Sequence, residues 1–286
     1  MATAGLTGQG VTVAIIDTGI DLTSPYLEGV ALAGWLDLIN HRDEPYDDNG
    51  HGTAMASILV GTGTLAGGAP RASLIMIKAI AGDGTGDDTT VADAINIAAA
   101  NGAEIISLSL GGSPGLLRIG SAAAQATEAA ANLGILVVGS AGNDGGPNDD
   151  GRVASPGSAT HAISVGAVDR ENVLAPFSSK GSAPLFPRDP NQKPEVVAPG
   201  VGITVAWTGG ATSTVSGTSP AAVFVAVGLA LLLEAHPTLQ RAGATGVSSI
   251  KAAIAQTALK VSGQNSPHDD FYGYGLFQAS AASSQL

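Results

Sequence analysis

Five short runs rich in apolar, β-branched residues constrain the fold of this chain more than any other feature. Most of them are apolar throughout rather than at alternate positions. Continuous apolar runs are typical of parallel strands that helices cover on both faces, because neither face of such a strand contacts water. The predicted strands are Val11 to Asp17, Leu74 to Ile80, Glu104 to Leu110, Ile135 to Ser140 and Ile163 to Val168.

Alanine-rich stretches of helical length alternate with these runs. Asp88 or Thr89 can cap the second stretch, and Gly102 can end it. The alternation predicts an α/β fold with a mostly parallel, twisted sheet and helices on both of its faces. The predicted helices are Gly52 to Leu59, Thr89 to Asn101, Ile119 to Leu133, Ser219 to His236 and Ser248 to Ala258.

Composition limits the number of domains and the classes of partner. With 286 residues, 44% of them hydrophobic and no internal repeat or long linker, the sequence predicts a single domain over residues 1–286. A net charge of −12 opposes contact with phosphate backbones, so we expect no nucleic-acid partner. The chain has no cysteine, which excludes disulfides, zinc–thiolate sites and a cysteine nucleophile.

Two observations argue against a membrane partner. Residues 1–10 lack the basic patch and the apolar stretch of a signal peptide. The longest apolar run, Ala221 to Leu233, is too short to span a bilayer and predicts a buried helix.

Four polar side chains follow predicted strands or open predicted helices: Asp17, His51, Asn143 and Ser219. Taken singly, each residue has an ordinary structural interpretation as a turn residue, a helix cap or a surface helix start. Ligands bind beyond the carboxyl ends of parallel strands, however, and each of the four lies in its own glycine-containing motif. An acid, an imidazole, an amide and a hydroxyl at that edge indicate nucleophilic acyl transfer.

Five motifs contain or accompany these residues in a fixed order along the chain. They are Ile15-Ile16-Asp17-Thr18-Gly19, Asn49-Gly50-His51-Gly52-Thr53, Ser107-Leu108-Ser109-Leu110-Gly111-Gly112, Ala141-Gly142-Asn143-Asp144 and Ser216-Gly217-Thr218-Ser219. The set resembles the subtilisin-like serine proteases, the subtilases, from about Gly10 to Ala282. The resemblance implies a subtilisin-like three-layer α/β/α sandwich with a core of about residues 10–282. It also implies a serine endopeptidase acting on protein or peptide substrates.

The resemblance assigns a role to each of the four residues. Ser219 attacks the peptide carbonyl, His51 takes its proton, and Asp17 fixes the imidazole tautomer. Asn143 and the Ser219 backbone N–H are the expected oxyanion donors. The peptide is expected to add as a strand, with a roomy apolar pocket for the residue before the cut. The implied substrate-binding residues are Leu108, Ser109, Leu110, Gly111, Gly112, Ala141 and Gly142.

Pro220 supports this assignment independently of the resemblance. In α/β-hydrolases the residue after the nucleophile supplies an oxyanion N–H, which proline lacks. An oxyanion hole that uses an Asn side chain and the nucleophile's own N–H is unaffected. Pro220 therefore argues against an esterase or lipase site.

The sequence departs from the family where subtilases hold calcium. Tyr26 replaces a usual carboxylate ligand, and the stretch between Ile58 and Gly68 is short. Calcium needs six to eight oxygens, so we expect that strong site to be absent and no cofactor to be required. Three acidic loops remain; we interpret them as solvated, with weak calcium binding as the alternative. They contain Asp43, Glu44, Asp47 and Asp48; Asp83, Asp87 and Asp88; and Asp144, Asp149 and Asp150.

Many subtilases are secreted and carry an inhibitory prodomain. No signal peptide and no such segment precedes the predicted core here, so we expect any prodomain partner to be absent from this chain and leave the compartment open.

Two other functional classes need motifs that this sequence lacks. An aspartic protease needs two Asp-Thr-Gly triplets, and the sequence has one, at Asp17. A dinucleotide-binding loop fails because Gly61-Thr62-Gly63 is followed by Thr64-Leu65-Ala66. Two alternatives stay open: a subtilase-like binding scaffold without catalysis, and a protease dedicated to processing one precursor peptide.

Overall fold

A seven-stranded parallel sheet is the central element of the computed structural model, which describes residues 5–111, 121–147, 149–181, 189–264 and 267–286. The strand order is β2–β3–β1–β4–β5–β6–β7, and all neighbouring strands run parallel. The strands are β1 (Thr12–Asp17), β2 (Leu32–Asp37), β3 (Ser73–Lys78), β4 (Ile105–Leu108), β5 (Leu136–Ser140), β6 (Ile163–Val168) and β7 (Val196–Pro199). A separate antiparallel hairpin is formed by β8 (Ile203–Ala206) and β9 (Thr212–Val215).

Helices cover both faces of the sheet. The α-helices of the described residues are α1 (His51–Val60), α2 (Asp88–Ala100), α3 (Ala122–Asn132), α4 (Thr218–Ala235), α5 (Gly243–Thr257) and α6 (Ala279–Ser283). In β1, Val13 and Ile15 pack in the core that contains α1, α4 and α5. Ala14 and Ile16 pack in the opposite core, with α2 and α3. Successive strand residues point to opposite faces, so β1 is apolar on both sides because both are covered. The predicted three-layer α/β/α architecture is confirmed.

Helix α4 is the central helix of one layer. It has 18 residues, and by length and composition alone it is long and apolar enough to cross a membrane. In the structure, 78% of it is buried inside the protein, where it contacts strands β4 to β7. The apolar run Ala221 to Leu233 is therefore part of a buried core helix.

The predicted elements agree with the structure to within a few residues, with identifiable exceptions. Helix α5 begins at Gly243 rather than Ser248, and residues 119–120 lie outside the described part of the chain. The predicted cap of α2 is wrong: Asp87 caps it, accepting the backbone N–H groups of Thr89 and Thr90 at 2.9 and 3.4 Å. Strands β2, β7, β8 and β9 and helix α6 were not predicted, because they are short or partly exposed and carry no long apolar run.

Three strand ends and two helix starts meet at one edge of the sheet. There β1 ends at Asp17, β4 ends at Leu108 and β5 ends at Ser140. Helix α1 starts at His51, and α4 starts at Thr218 after the β8–β9 hairpin. Hydrogen bonds described below join the end of β1 to the start of α1, and the segments after β4 and β5 to the start of α4.

Candidate active site

The end of β1 and the start of α1 bring an acid and an imidazole together. Asp17 Oδ1 lies 2.7 Å from His51 Nδ1 and also accepts the Thr18 backbone N–H at 2.8 Å. Asp17 is 2% exposed, and its Oδ2 is buried without a hydrogen-bond partner among the described residues. Since Nδ1 faces the carboxylate, Nε2 is the ring atom left to exchange protons.

Two carboxylates govern the charge of His51. Burial lowers the pKa of the imidazole, whereas the charge and hydrogen bond of Asp17 and the charge of Asp47 raise it. The net effect is a His51 pKa above its ordinary value of 6.5. About a third of the side chain, 32%, is exposed, so the ring is accessible from the cleft. The site is thus built to stabilise an imidazolium next to a carboxylate.

The serine lies in the first turn of α4, packed against the residue that follows β4. Ser219 Oγ donates to the Ser109 carbonyl at 3.1 Å, and Ser109 Oγ donates to the Ser219 carbonyl at 3.1 Å. Ser219 is 9% exposed. In the described residues, no hydrogen bond joins Ser219 to His51. A rotation about the Cα–Cβ bond of Ser219 would direct its hydroxyl away from the Ser109 carbonyl.

The amide of Asn143 has a fixed orientation. Its Oδ1 accepts the Thr218 backbone N–H at 2.9 Å and the Thr218 hydroxyl at 3.1 Å. A backbone N–H can only donate, so the atom facing it is the oxygen and the Nδ2 group points away. The Thr218 hydroxyl oxygen in turn accepts the Gly142 N–H at 3.2 Å. Thr218 therefore joins the loop after β5 to the start of α4 and leaves the Asn143 NH₂ free to donate.

The helix start also leaves a backbone donor available. Ser219 is the second residue of α4, and the first N–H groups of a helix have no acceptor within it. Pro220 is the third helical residue, and its missing N–H falls in the same turn. The proline therefore removes no helical hydrogen bond.

Two cavities adjoin along residues 109–111. The larger, about 790 Å³, is lined by Asp17, His51, Val91, Leu110 and Gly111 among others. The acidic loop at the start of α2 also lines this cavity. An extended segment of several residues fits a cavity of this size.

The second cavity, about 370 Å³, lies between the segments that follow β4 and β5. Ser219 lines it together with Gly111, Gly142, Asn143 and Asp144. The predicted apolar character of this pocket is wrong, because Ser109 and Ser140 add hydroxyl groups to its wall. It is smaller than the neighbouring cavity, and polar atoms make up most of its wall, whereas apolar atoms make up most of the wall of the larger cavity.

The predicted substrate-binding residues divide into three groups. Ser109, Leu110, Gly111 and Gly142 line one or both cavities. Leu108 and Ala141 are fully buried and line neither cavity. Gly112 lies outside the described residues.

Glycine is required at two of the cavity positions. A Cβ on Gly111 would lie 2.5 Å from Ala154 Cβ, and a Cβ on Gly142 would lie 2.8 Å from Ser179 Oγ. Gly142 also has a φ of +112°, a conformation that L-residues rarely adopt. A side chain at either position would clash with Ala154 or Ser179, beside the cavity that Ser219 lines.

Sequence reasoning missed two residues of this region. The sequence pointed to Thr218 only as part of a motif and to Asp47 only as part of an acidic loop. In the structure, each forms hydrogen bonds to more than one chain segment of the site. Their proximity in sequence to Ser219 and His51 was the available signal. Among the described residues, no group of three or more His, Asp or Glu side chains converges as a metal site would require.

The fold and the site together define a class of protein. A parallel α/β sheet carries an acid–imidazole pair at the end of one strand and, at the same edge of the sheet, a serine at a helix start, which is the general plan of serine hydrolases.

Comparison with known proteins identifies the family. The model of the subtilase family matches residues 8–275. The chain is 36% identical over 263 residues to thermitase of Thermoactinomyces vulgaris, covering 90% of this chain and 84% of that protein. It is 37% identical over 278 residues to the thermophilic serine proteinase of Bacillus sp. (strain AK1), covering 96% of this chain but 61% of that protein's length. The chain belongs to the subtilase family of serine proteases.

A solved structure has the same fold. The prenylagaramide maturation protease PagA superimposes with a TM-score of 0.78 at 25% sequence identity. The match covers 96% of this chain and 92% of that chain.

Proposed function

We propose that this protein is an endopeptidase in which Ser219 is the nucleophile, His51 the general base and Asp17 the residue that orients the imidazole. The observation that carries the proposal is the 2.7 Å contact between Asp17 Oδ1 and His51 Nδ1 at the wall of a cleft. That contact leaves Nε2 to face the cleft, whose wall continues through Ser109 to Ser219.

The first chemical step begins with the Ser219 hydroxyl. It leaves the Ser109 carbonyl, donates its proton to His51 Nε2 and attacks the carbonyl carbon of the bound peptide. Asp17 stays ionised and stabilises the resulting imidazolium. His51 then gives the proton to the leaving amine, and the C–N bond breaks to form an acyl-enzyme. Water, deprotonated by the same imidazole, hydrolyses this ester and restores Ser219.

The tetrahedral intermediates need donors for the oxyanion. Asn143 Nδ2 is suited to this role because both hydrogen bonds from Thr218 fall on its Oδ1. The Ser219 N–H is the second donor, since it lies in the first turn of α4.

The substrate in this proposal is an extended peptide that lies along residues 109–111. Hydrogen bonds between its backbone and the exposed edge of this segment would hold it, as for a strand added to a sheet. The 370 Å³ cavity beside Ser219 would take the residue whose carbonyl is attacked. The larger cavity would take the residues that precede it in the substrate.

One observation favours a narrower role, the maturation of a dedicated precursor peptide. The prenylagaramide maturation protease PagA has the same fold over 96% of this chain. A peptide library would distinguish the two roles. General proteolysis predicts cleavage of many sequences, whereas a dedicated protease cleaves few of them.

A fluorophosphonate probe tests the chemistry itself. It phosphonylates a serine only where a neighbouring base activates the hydroxyl. We expect labelling of the folded protein and its complete loss in Ser219→Ala. A folded protein that resists labelling and cleaves no library peptide would instead support the binding scaffold.

A further inference from the structure

One carboxylate outside the proposed triad binds the chain on both sides of the acid–imidazole pair. Asp47 lies in the loop before α1. Its Oδ1 accepts the Thr18 hydroxyl at 2.9 Å and the N–H groups of Asn49 and Gly50 at 3.0 and 2.9 Å. Its Oδ2 accepts the N–H and the hydroxyl of Thr53 at 2.9 and 2.6 Å. Five donors therefore converge on this single side chain.

The partners of Asp47 adjoin the proposed catalytic residues in sequence. Thr18 directly follows Asp17, and its hydroxyl oxygen also accepts the Gly52 N–H at 2.9 Å. Gly52 directly follows His51. The carboxylate of Asp47 and the hydroxyl of Thr18 thus connect the end of β1 to the first turn of α1, which fixes the relative position of acid and imidazole.

The Asp47 carboxylate is held in its ionised form. Burial raises its pKa, but hydrogen bonds from Thr53, Gly50 and Asn49 outweigh burial, and the net pKa is below the ordinary 3.8. Its charge acts on His51 in the same direction as that of Asp17.

Other charged groups face the same region. The buried Lys78 ammonium, at the end of β3, donates to the Thr18 carbonyl at 2.6 Å and to Asp48 Oδ1 at 2.7 Å. Asp21, after β1, interacts with the charge of Asp47. Lys78 is thus paired with the neighbouring Asp48, whereas the five donors to Asp47 among the described residues are all uncharged.

We propose that Asp47 is a positioning residue for the base: its carboxylate holds His51 against Asp17 and supplies a second negative charge that favours the imidazolium formed during acyl transfer. The proposal rests on the function proposed above for His51. It assigns to Asp47 no contact with the substrate.

The test compares two Asp→Asn variants of similar structural cost. Asp47→Asn keeps the volume but removes the charge and one acceptor oxygen. The control is Asp37→Asn, because Asp37 is also buried and accepts three N–H groups and the Tyr46 hydroxyl, but it lies at the end of β2 and has no hydrogen bond to the acid–imidazole pair. Fluorophosphonate titration counts the active molecules, so that loss of folded protein is separated from loss of turnover.

We expect Asp47→Asn to lower kcat about tenfold or more per active site, since hydrogen bonds to a charged group are among the strong ones. The acidic limb of kcat/KM should move to lower pH, because the imidazolium has lost a favourable charge. Asp37→Asn should change neither quantity. A kcat within about threefold of the wild type, with an unmoved acidic limb, would overturn the proposal.

A second readout does not depend on catalysis. In Ser219→Ala, which prevents self-digestion, NMR titration of the His51 ring protons gives its protonation midpoint directly. Adding Asp47→Asn should lower that midpoint, and adding Asp37→Asn should not. If the protein proves inactive, the proposed function fails while this titration still decides the role of Asp47; an unchanged midpoint rejects it.

Discussion

Replacing Asn143 tests the proposed oxyanion hole, because the structure shows which single donor is lost. Both donor groups of Thr218 fall on Asn143 Oδ1, so Nδ2 is the single donor that a leucine of similar size would remove. Loss of one such donor costs about 10²–10³ in kcat, a magnitude known from a subtilisin rather than derived from this structure. We expect Asn143→Leu to lower kcat by this factor and to change KM little, since the donor acts on charge that develops in the transition state.

A second variant separates catalysis from folding. Asn143→Leu also leaves the Thr218 N–H and hydroxyl without their acceptor, which costs stability of about 1–3 kcal/mol where such groups are buried. Asn143→Asp keeps an oxygen for Thr218 but places an acceptor with negative charge where the donor was. We therefore expect Asn143→Asp to fold at least as well as Asn143→Leu and to be the slower enzyme.

The assay is kcat and KM on one good library peptide, with active sites counted by fluorophosphonate and folding followed by circular dichroism. Folded Asn143→Leu with kcat within about threefold of the wild type would refute the assignment of Nδ2 as an oxyanion donor. An Asn143→Asp variant faster than Asn143→Leu would refute the argument from charge.

Three further predictions concern pH and metal. kcat/KM should rise with pH through a midpoint above 6.5, because the base works only when neutral and the net pKa of His51 is raised. Burial lowers the pKa of Lys193 to about 8 against 10.5, so the unfolded chain binds more protons between these values. Urea unfolding of Ser219→Ala should therefore show stability rising from pH 8 to 10.5, with up to about 3 kcal/mol from Lys193. Lys193→Met should reduce this rise without abolishing it, because burial also lowers the pKa of Lys251. A chelator should leave the melting temperature unchanged, and a drop of many degrees would reveal a structural calcium ion.

Motifs at the strand ends made the chemistry of the site predictable. Asp17, His51 and Ser219 each end a strand or open a helix, and the topology of a parallel sheet places such positions at one edge. The hydrogen bond between Ser219 Oγ and the Ser109 carbonyl was not predictable, because it depends on a side-chain rotamer and on the distance between two elements.

The buried charges could not be predicted either. Lys193 and Lys251 both donate to Glu195 Oε1, at 2.7 and 2.8 Å, in the interior. All three residues are less than a tenth exposed, a burial that charged residues rarely reach without partners. Lys251 lies on the apolar side of α5 with Val247 and Ile254, but its residue type alone would assign it to a solvated position. Only the packing of α5 against the sheet reveals the cluster.

The acidic loops have a structural role that their composition did not reveal. Asp83 accepts the N–H and hydroxyl of Thr85, and Asp87 caps α2. Asp149 accepts the N–H groups of Gly151 and Lys180. These carboxylates satisfy backbone donors that would otherwise depend on water, as Asp47 does near His51. A calcium ion that bound Asp47, Asp87 or Asp149 would share oxygens that already accept hydrogen bonds, so its binding there would compete with the loop conformation.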